Sequence, residues 1–288
     1  MYQQNISPEV TELHISAAGC TDAGRVHTHN EDTIALCEPA DDQTVLAQLG
    51  RLYLLADGAG GHAAGEVASL VAVETISSVY YDQMASHKLS EEDFQLQGRV
   101  RHLHGSCPDL YIPMLHIRRA FFAAHTRIRQ QSLLKPEYAG MATTCIAAVI
   151  KGNRLLIAHA GDSRAYLIRI SSGSPPTLTR LTTDHSLAAE LAHNGVILSE
   201  RMHSSLSRYI LLRALGGSNP YPDITTCLVQ AGDHLVLCCD GLWSMLTEQQ
   251  IAVVVSSNTP QAACNALIRL ANDAGGEDNI STVVISFT

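Results

Sequence analysis

Residues 51–62, RLYLLADGAGGH, decide the fold. An apolar run with the length of a buried strand leads directly into an aspartate-glycine pair at Asp57. Residues 234–241, HLVLCCDG, repeat this arrangement at Asp240, and a third acid, Asp278, stands just before the last apolar run. A carboxylate at the end of a buried strand is costly unless it is paired or holds a metal. The three acids therefore predict a site that gathers carboxylates around hard cations.

The length, hydrophobic content and net charge indicate a globular protein and argue against nucleic acid as a partner. The chain has 288 residues, 46% of them hydrophobic, and a formal net charge of −9. This length allows one or two domains, and the acidic balance disfavours a polyanionic partner. The first 20 residues lack the basic start and apolar run of a signal peptide, and no run of about 18 apolar residues predicts a membrane helix.

The cysteines indicate a reducing compartment. There are eight of them, none in a Cys-x-x-Cys pair, and two are neighbours within an apolar run. Disulfides or a zinc site are the alternatives, but buried free thiols suit this pattern better. We therefore expect a cytoplasmic protein, with a monomer as the default state.

Hydrophobic patterning predicts an α+β protein with many antiparallel strands and helices grouped between them. The predicted strands are residues 11–20, 32–37, 51–56, 144–150, 154–160, 164–170, 177–181, 224–229, 233–239 and 280–287. The predicted helices run from the glycines at 58–61 to about 81, from 113 onwards, and over 186–194, 248–255 and 261–273. Residues 41–43 are predicted to be a loop. No linker divides residues 1–288, so we expect one domain, with the polar, histidine-rich residues 82–111 as a surface insertion.

Further acidic motifs have both structural and functional explanations. An aspartate-glycine pair is often only a hairpin turn. Asn30-Glu31-Asp32 could be a solvated strand start, Gly161-Asp162 a tight turn, and Asp184 or Ser186 a helix N-cap. Each motif alone is weak evidence, but their joint occurrence is specific.

Together, the motifs resemble those of the metal-dependent protein phosphatases, the PPM family of type 2C serine/threonine phosphatases, in their bacterial form. They occur in family order over nearly the whole chain: 21–24 (TDAG), 30–32 (NED), 56–69 (ADGAGGHAAGEVAS), 140–144 (GMATT), 161–164 (GDSR), 183–186 (TDHS), 211–216 (LLRALG), 239–243 (CDGLW) and 278–280 (DNI).

The resemblance implies a four-layer α-β-β-α sandwich. Two antiparallel sheets would pack face to face with helices outside, and a dimetal site would lie in the cleft at one end. Residues 183–216 match the variable flap beside that cleft.

The resemblance also assigns the central metal ligands. It implies that Asp57 bridges two ions, that Gly58 offers its carbonyl oxygen, and that Asp240 and Asp278 complete the first ion. An all-oxygen set favours Mg²⁺ or Mn²⁺ over zinc.

The remaining carried-over residues surround this centre. Glu31 and Asp32 would hold metal-bound waters at or just outside the coordination shell, and Asp162 would share a third ion with Asp240. Asn279 would support Asp278, and His62 would lie near the entrance, with an effect on proton transfer or substrate contact.

The activity implied by the resemblance is hydrolysis of phosphoserine and phosphothreonine in proteins. Two or three ions per chain would take part, and a hydroxide shared by two of them would attack phosphorus in line. The partners would be phosphoproteins, either substrates of a bacterial serine/threonine kinase or the kinase itself. The main alternative is a catalytically impaired pseudophosphatase that binds phosphoproteins.

One position departs from the family pattern. Family members usually carry an arginine for the substrate phosphate three residues before the Asn-Glu-Asp run, where this chain has His27. Histidine is neither permanently charged nor bidentate. Arg25 lies two residues away, on the same side of an extended chain. Either Arg25 or protonated His27 is therefore predicted to contact the phosphate.

Other classes of protein explain less of the sequence. A nucleotide-binding loop at the glycines after Asp57 lacks the Gly-Lys-Ser/Thr ending, and a serine hydrolase elbow at Ser163 lacks its closing glycine. No cysteine has an arginine six residues on, which excludes a cysteine phosphatase. Transition-metal binding is a minor alternative for the His-x-His pairs at 27/29 and 102/104.

Overall fold

The computed structural model describes residues 13–39, 42–59, 64–82, 98–103, 107–170, 173–198, 206–217 and 219–288. Its strands are β1 (Ile15–Asp22), β2 (Asp32–Cys37), β3 (Arg51–Ala59), β4 (Val100–His102), β5 (Ala142–Thr143), β6 (Cys145–Lys151), β7 (Arg154–Ala160), β8 (Arg164–Arg169), β9 (Thr177–Arg180), β10 (Asp223–Leu228), β11 (Asp233–Cys238) and β12 (Ile280–Phe287). Its helices are α1 (Gln43–Leu49), α2 (Ala64–Tyr80), α3 (Tyr111–Leu134), α4 (Leu187–His193), α5 (Asp240–Trp243), α6 (Glu248–Ser256) and α7 (Pro260–Asp273).

Strand β3 is central to the layered structure. It extends three residues beyond the predicted end, so the aspartate-glycine pair lies within the strand. Leu52 and Leu54 join one hydrophobic core, whereas Tyr53 and Leu55 join another. Because successive side chains of a strand point to opposite faces, β3 must be covered on both sides.

The strands form two mainly antiparallel sheets, as predicted. One sheet has the order β1-β12-β11-β8-β9, and the other has the order β2-β3-β6-β7-β10-β4 with β5 beside β3. The pairing of β4 with β10 is parallel. Every other strand pair in the described residues is antiparallel.

Three hydrophobic cores separate four layers. The inner core lies between the two sheets and includes Leu55, Leu237 and Val283. Helices α2 and α3 cover the outer face of the larger sheet, and α6 and α7 cover the outer face of the smaller one. The predicted α-β-β-α sandwich is confirmed.

The acid-bearing strand ends meet at one end of this sandwich. Antiparallel pairing of β11 with β12 places the end of β11, before Asp240, beside the start of β12, after Asp278. In the other sheet, Asp32 of β2 is paired with Asp57 of β3. The connection between β7 and β8 carries Asp162 to the same cleft.

Two predicted boundaries differ from the structure. Asp42 lies outside any helix, as predicted for the loop at 41–43, but Gln43 already begins helix α1, which Asp42 caps by accepting hydrogen bonds from the backbone N–H groups of Thr44 and Val45 at 3.0 Å. Helix α3 begins at Tyr111, two residues before the predicted start, because a 3₁₀ turn at Pro108–Leu110 runs directly into it.

The predicted insertion at 82–111 is described only in part, since residues 83–97 and 104–106 lie outside the described residues. Its described portion supplies β4, which pairs with β10 at the edge of the larger sheet. No helix among the described residues is long and apolar enough to cross a membrane.

Candidate active site

A cleft of about 350 Å³ lies at the end of the sandwich where the acids meet. Its lining residues are His27, Glu31, Asp57, Gly58, Ala59, Thr144, Asp162, Tyr209, Leu211, Asp240, Asp278 and Asn279. Six of the seven predicted metal-binding residues are in this set, and the seventh, Asp32, lies behind the cleft. The structure therefore brings together residues from the first and last parts of the chain.

Asp32 lies against Asp57, just behind the cleft. Ligand atoms of these two carboxylates and of the Cys239 thiol all lie within 4.8 Å of one another. The thiol donates to the Asn279 carbonyl oxygen at 3.2 Å, and burial raises its pKa well above the ordinary value. Cys239 therefore stays protonated and packs behind the acids. The sequence does not predict this contact, because a cysteine within an apolar run indicates only a buried thiol.

The acids strongly perturb one another. Burial, together with the charges of Asp32, Asp240, Asp162 and Asp278, raises the pKa of Asp57 well above its ordinary value. Burial likewise raises the pKa of Asp32 to about 7, with the charges of Asp240 and Asp278 adding to the effect. The pKa of Asp162 is raised by burial and by the charge of Asp240. This cluster repels its own ionisation and favours a bound cation.

The donor set fits divalent ions such as Mg²⁺ or Mn²⁺. Both carboxylate oxygens of Asp32 are buried and lack a hydrogen-bond partner among the described residues. Buried carboxylate oxygens need a donor or a cation, and hard cations prefer all-oxygen ligands. Asp57, Asp240 and Asp278 supply further oxygens at the same cleft. These residues could hold the ions implied by the sequence.

Close backbone packing shapes the edge of the cleft at Gly58. Its N–H donates to the Glu31 carbonyl oxygen at 3.2 Å. A Cβ at Gly58 would collide with the carbonyl oxygens of Gly65 and Glu31, and a Cβ at Gly65 would collide with the Glu31 carboxylate. Glycine at both positions therefore lets β2, β3 and the start of α2 approach closely around the acids.

Asn279 fastens the loop before β2 to the start of β12. Its side-chain oxygen accepts from the Glu31 N–H at 2.8 Å, and its amide donates to the carbonyl oxygens of Ala23 and His29 at 3.0 and 2.9 Å. Its own backbone N–H donates to Asp278 at 2.8 Å. This loop carries His27, whose Nε2 lies 3.5 Å from Oδ1 of Asp278.

A buried ionic network supports the turn that carries Asp162. Arg164 donates to both carboxylate oxygens of Asp184, at 3.1 and 2.8 Å, and Arg180 pairs with the same carboxylate. The Trp243 indole N–H donates to the Asp162 carbonyl oxygen at 3.1 Å. Three of the sequence motifs therefore meet behind the cleft through Asp162, Asp184 and Trp243.

The two predicted phosphate-contacting residues lie in different places. His27 lines the cleft, whereas Arg25 lines a neighbouring cavity together with Arg269 and Asn272. His62 and His104 lie outside the described residues. His102 bonds to Thr226 at 2.6 Å, and the only candidate metal group in the described part of the chain contains no histidine.

The sequence assigned no role to several of the residues that line the cleft, although Leu211 and Thr144 belong to its motifs. Tyr209 and Leu211 come from the flap and add an aromatic and an apolar side chain to the wall. Thr144 hydrogen-bonds through its backbone N–H to the Asp57 carbonyl oxygen at 2.8 Å and through its hydroxyl to Ser163 at 2.8 Å. Thr144 lies in the 140–144 motif, which was the available signal for it.

The fold and the acidic cleft define a metal-dependent phosphatase architecture, and comparison with known proteins agrees. The family profile described as Protein phosphatase 2C matches residues 24–266. The chain belongs to the protein phosphatase 2C family, as the motifs predicted.

Curated relatives include two bacterial serine/threonine phosphatases. The chain is 32% identical to PstP of Mycobacterium tuberculosis over 272 residues, covering 94% of this chain and 45% of PstP. It therefore spans about half the length of that relative. It is also 32% identical to the serine/threonine phosphatase stp of Listeria monocytogenes over 268 residues, covering 92% of this chain and 93% of the relative.

Solved structures share the fold. The PstP catalytic domain in complex with two manganese ions matches with a TM-score of 0.72 at 30% identity, covering 96% of this chain and 99% of that one. The serine/threonine phosphatase of S. agalactiae matches with a TM-score of 0.75 at 29% identity, covering 95% and 99%.

Proposed function

We propose that this protein is a metal-dependent phosphatase that hydrolyses phosphoserine and phosphothreonine in proteins. The observation that carries the proposal is the convergence of Asp57, Asp162, Asp240 and Asp278 on one open cleft, with Asp32 behind it. Membership of the protein phosphatase 2C family supports the same activity.

The residues of the cleft would have different roles in the reaction. When bound, two divalent ions would supply Lewis-acid charge for the phosphoryl oxygens and lower the pKa of a water. Asp57, Asp240 and Asp278 would hold these ions, with the Gly58 carbonyl oxygen as a further ligand. Glu31 and Asp32 would orient water next to them. The acids offer no positive charge to a phosphate group, so they act on it through the ions they bind.

His27 is proposed to contact the substrate phosphate. It lines the cleft and faces Asp278, whereas Arg25 points to the neighbouring cavity. A protonated imidazole can donate a charged hydrogen bond to a phosphate oxygen. Arg25 remains the alternative, and His62 remains predicted to act near the entrance.

The test is a phosphatase assay on phosphoserine and phosphothreonine peptides with Mn²⁺, with Mg²⁺ and with EDTA. Turnover that requires the metal and disappears in Asp57→Ala would support the proposal. Tight binding of the phosphopeptide by wild-type protein without turnover, at any Mn²⁺ concentration, would instead identify a pseudophosphatase.

The cellular setting is part of the same proposal. None of the eight cysteines forms a disulfide within the described residues, and six of them are buried, which suits a cytoplasmic protein. A monomeric, single-domain phosphatase opposing a bacterial serine/threonine kinase in signal transduction is the proposed role. Phosphoprotein profiling of cells lacking this protein would identify the kinase substrates that it dephosphorylates.

A further inference from the structure

A second polar cluster lies behind the cleft and is centred on the Asp223 carboxylate. Its Oδ1 accepts from the Arg99 backbone N–H at 2.8 Å and from Arg213 Nη1 at 2.6 Å, and its Oδ2 lies 3.1 Å from His185 Nε2. The side chain is only 13% exposed. Although burial opposes ionisation, these hydrogen bonds hold the pKa of Asp223 below its ordinary value. None of the sequence motifs includes Asp223.

His185 connects Asp223 to the turn before Asp162. The Gly161 N–H donates to His185 Nδ1 at 3.2 Å, so the ring proton lies on Nε2 and is donated to Asp223. The His185 backbone N–H donates to the Gly161 carbonyl oxygen at 3.0 Å. The imidazole also stacks on His159, with ring centroids 4.5 Å apart and an interplanar angle of 7°. His185 thus fixes Gly161 through both of its backbone polar groups.

The Gly161 conformation sets the position of Asp162. Gly161 has a φ of +115°, and a Cβ there would collide with the side chain of Thr144. On the other side, the Asp162 carbonyl oxygen is held by the Trp243 indole at 3.1 Å. The Asp162 backbone is therefore fixed between two anchors, and one of them is the Asp223–His185 pair.

The same pair also holds the base of the flap. The Leu212 N–H donates to the His185 carbonyl oxygen at 2.8 Å, and Arg213 pairs with Asp223. The preceding residue, Leu211, lines the cleft. A shift of His185 would therefore move an acid and a flap residue of the cleft together.

We propose that Asp223 is a positioning residue that acts through His185 to hold the Asp162 carboxylate in place for metal binding. This inference rests on the proposed function, in which Asp162 binds a metal ion. Asparagine at 223 would have one oxygen for three donors. The Nε2–H group of His185 could then lose its acceptor. Alternatively, the ring proton could move to Nδ1, where it would face the Gly161 N–H and break that hydrogen bond.

The experiment compares Asp223→Asn with Asp233→Asn. Asp233 is a matched control, because it is also buried and accepts from an arginine, Arg169, and from a backbone N–H, that of Gln230. It begins β11, about 20 Å along the strand direction from Asp240. Nitrogen-15 NMR of the metal-free proteins measures the ring shifts that report the His185 tautomer and the amide shift of Gly161. Calorimetric titration measures Mn²⁺ affinity, and the binding step that is lost in Asp162→Asn identifies the site to which Asp162 contributes.

We expect Asp223→Asn to shift both NMR signals and to weaken Mn²⁺ binding at that site about 10-fold or more, and Asp233→Asn to change neither. Unchanged tautomer and Mn²⁺ affinity in folded Asp223→Asn would overturn the inference. Failure of the wild-type protein to bind Mn²⁺ would instead overturn the proposed function.

Two substitutions at 185 keep the inference testable if Asp223→Asn does not fold. The oxygen of His185→Asn can replace Nδ1 as the acceptor for Gly161, whereas His185→Gln reaches Asp223 but not Gly161. Each variant therefore breaks one of the two contacts that join Asp223 to Gly161, and we expect each to weaken Mn²⁺ binding about 10-fold. Wild-type Mn²⁺ affinity in folded His185→Asn, which has lost the Asp223 contact, would contradict the inference.

Discussion

The guanidinium carbon of Arg164 lies 3.6 Å from the centroid of the Trp243 ring. Arg164 begins β8, and Trp243 ends α5, so the stacking joins the turn that carries Asp162 to the helix that begins with Asp240. The guanidinium is also held by both oxygens of Asp184. Charge, stacking and hydrogen bonding together fix two acid-bearing segments of the cleft.

Removing the Asp184 charge should strongly destabilise the protein. Asp184→Asn leaves the buried Arg164 charge without its partner, and breaking a buried pair in this way costs about 3–5 kcal/mol. Urea unfolding would measure the loss. Asp109→Asn is the control, because Asp109 pairs with Arg154 at the surface and its side chain is 57% exposed. This control should lose at most about 1 kcal/mol, and equal losses in both variants would contradict the prediction.

Asp240→Asn should abolish metal-dependent turnover. It removes a carboxylate from the centre of the acidic cluster, so the fall in kcat with Mn²⁺ should exceed the roughly 100-fold upper range for residues that only support a ligand. Hydrolysis of p-nitrophenyl phosphate would measure it. Asp273→Asn, at the exposed end of α7, should keep wild-type activity. Comparable kcat values for wild type and Asp240→Asn would disprove the role of Asp240.

His27→Ala should weaken substrate binding more than Arg25→Ala does. Loss of one charged hydrogen bond to the phosphate should raise KM about 10-fold, with a smaller change in kcat. Arg25→Ala is the matched comparison, because Arg25 is near in sequence but lines the neighbouring cavity. Steady-state kinetics on a phosphopeptide would separate the two residues. A larger KM effect in Arg25→Ala would transfer the phosphate contact to that residue.

The buried His159 should make stability depend on pH. Burial lowers the pKa of His159 to about 3, and the neighbouring His185 ring adds to the effect. Below about pH 6.5 the unfolded chain binds a proton at His159 that the folded protein does not bind until about pH 3. The free energy of unfolding therefore falls by up to about 1.4 kcal/mol for each pH unit between these two values. In EDTA, lowering the pH from 7.5 to 5.5 should therefore destabilise the wild type more than His159→Gln, by about 1 kcal/mol.

Glutamine at 159 can still donate to the Thr183 carbonyl oxygen, which His159 Nε2 contacts at 2.9 Å. His14→Gln, at an exposed position, is the control and should keep the wild-type pH dependence. The same pH dependence in wild type and His159→Gln would show that His159 does not carry the effect.

The sequence predicted the long periodic elements well. Strands β2, β7 and β12 have the expected bounds, because alternating or continuous apolar residues and flanking turns mark them clearly. Helix α1 was missed, since it has only seven residues and depends on the Asp42 cap. Strand β4 was missed because its three exposed residues gain their strand structure by pairing with β10.

In the candidate active site, too, the sequence predicts some residues and misses others. The spacing of the motifs identified Asp57, Asp240 and Asp278, because each follows or precedes an apolar strand. The contact between His185 and Asp223 was not predictable, because 38 residues separate them in sequence and the contact depends on how β10 meets the flap. A single sequence likewise left Arg25 and His27 as equal alternatives. The structure distinguishes them by position, because His27 lines the cleft and Arg25 lines the neighbouring cavity.

The pairing of Asp32 with Asp57 across β2 and β3 has a consequence for folding. Because side chains alternate along a strand, a slip of one residue would turn Asp32 to the opposite face of the sheet and separate the two carboxylates. An ion bound by both acids would stabilise only the native register, by a free energy that grows with its concentration. The concentration of the metal would then bias folding towards the native alignment of β2 and β3.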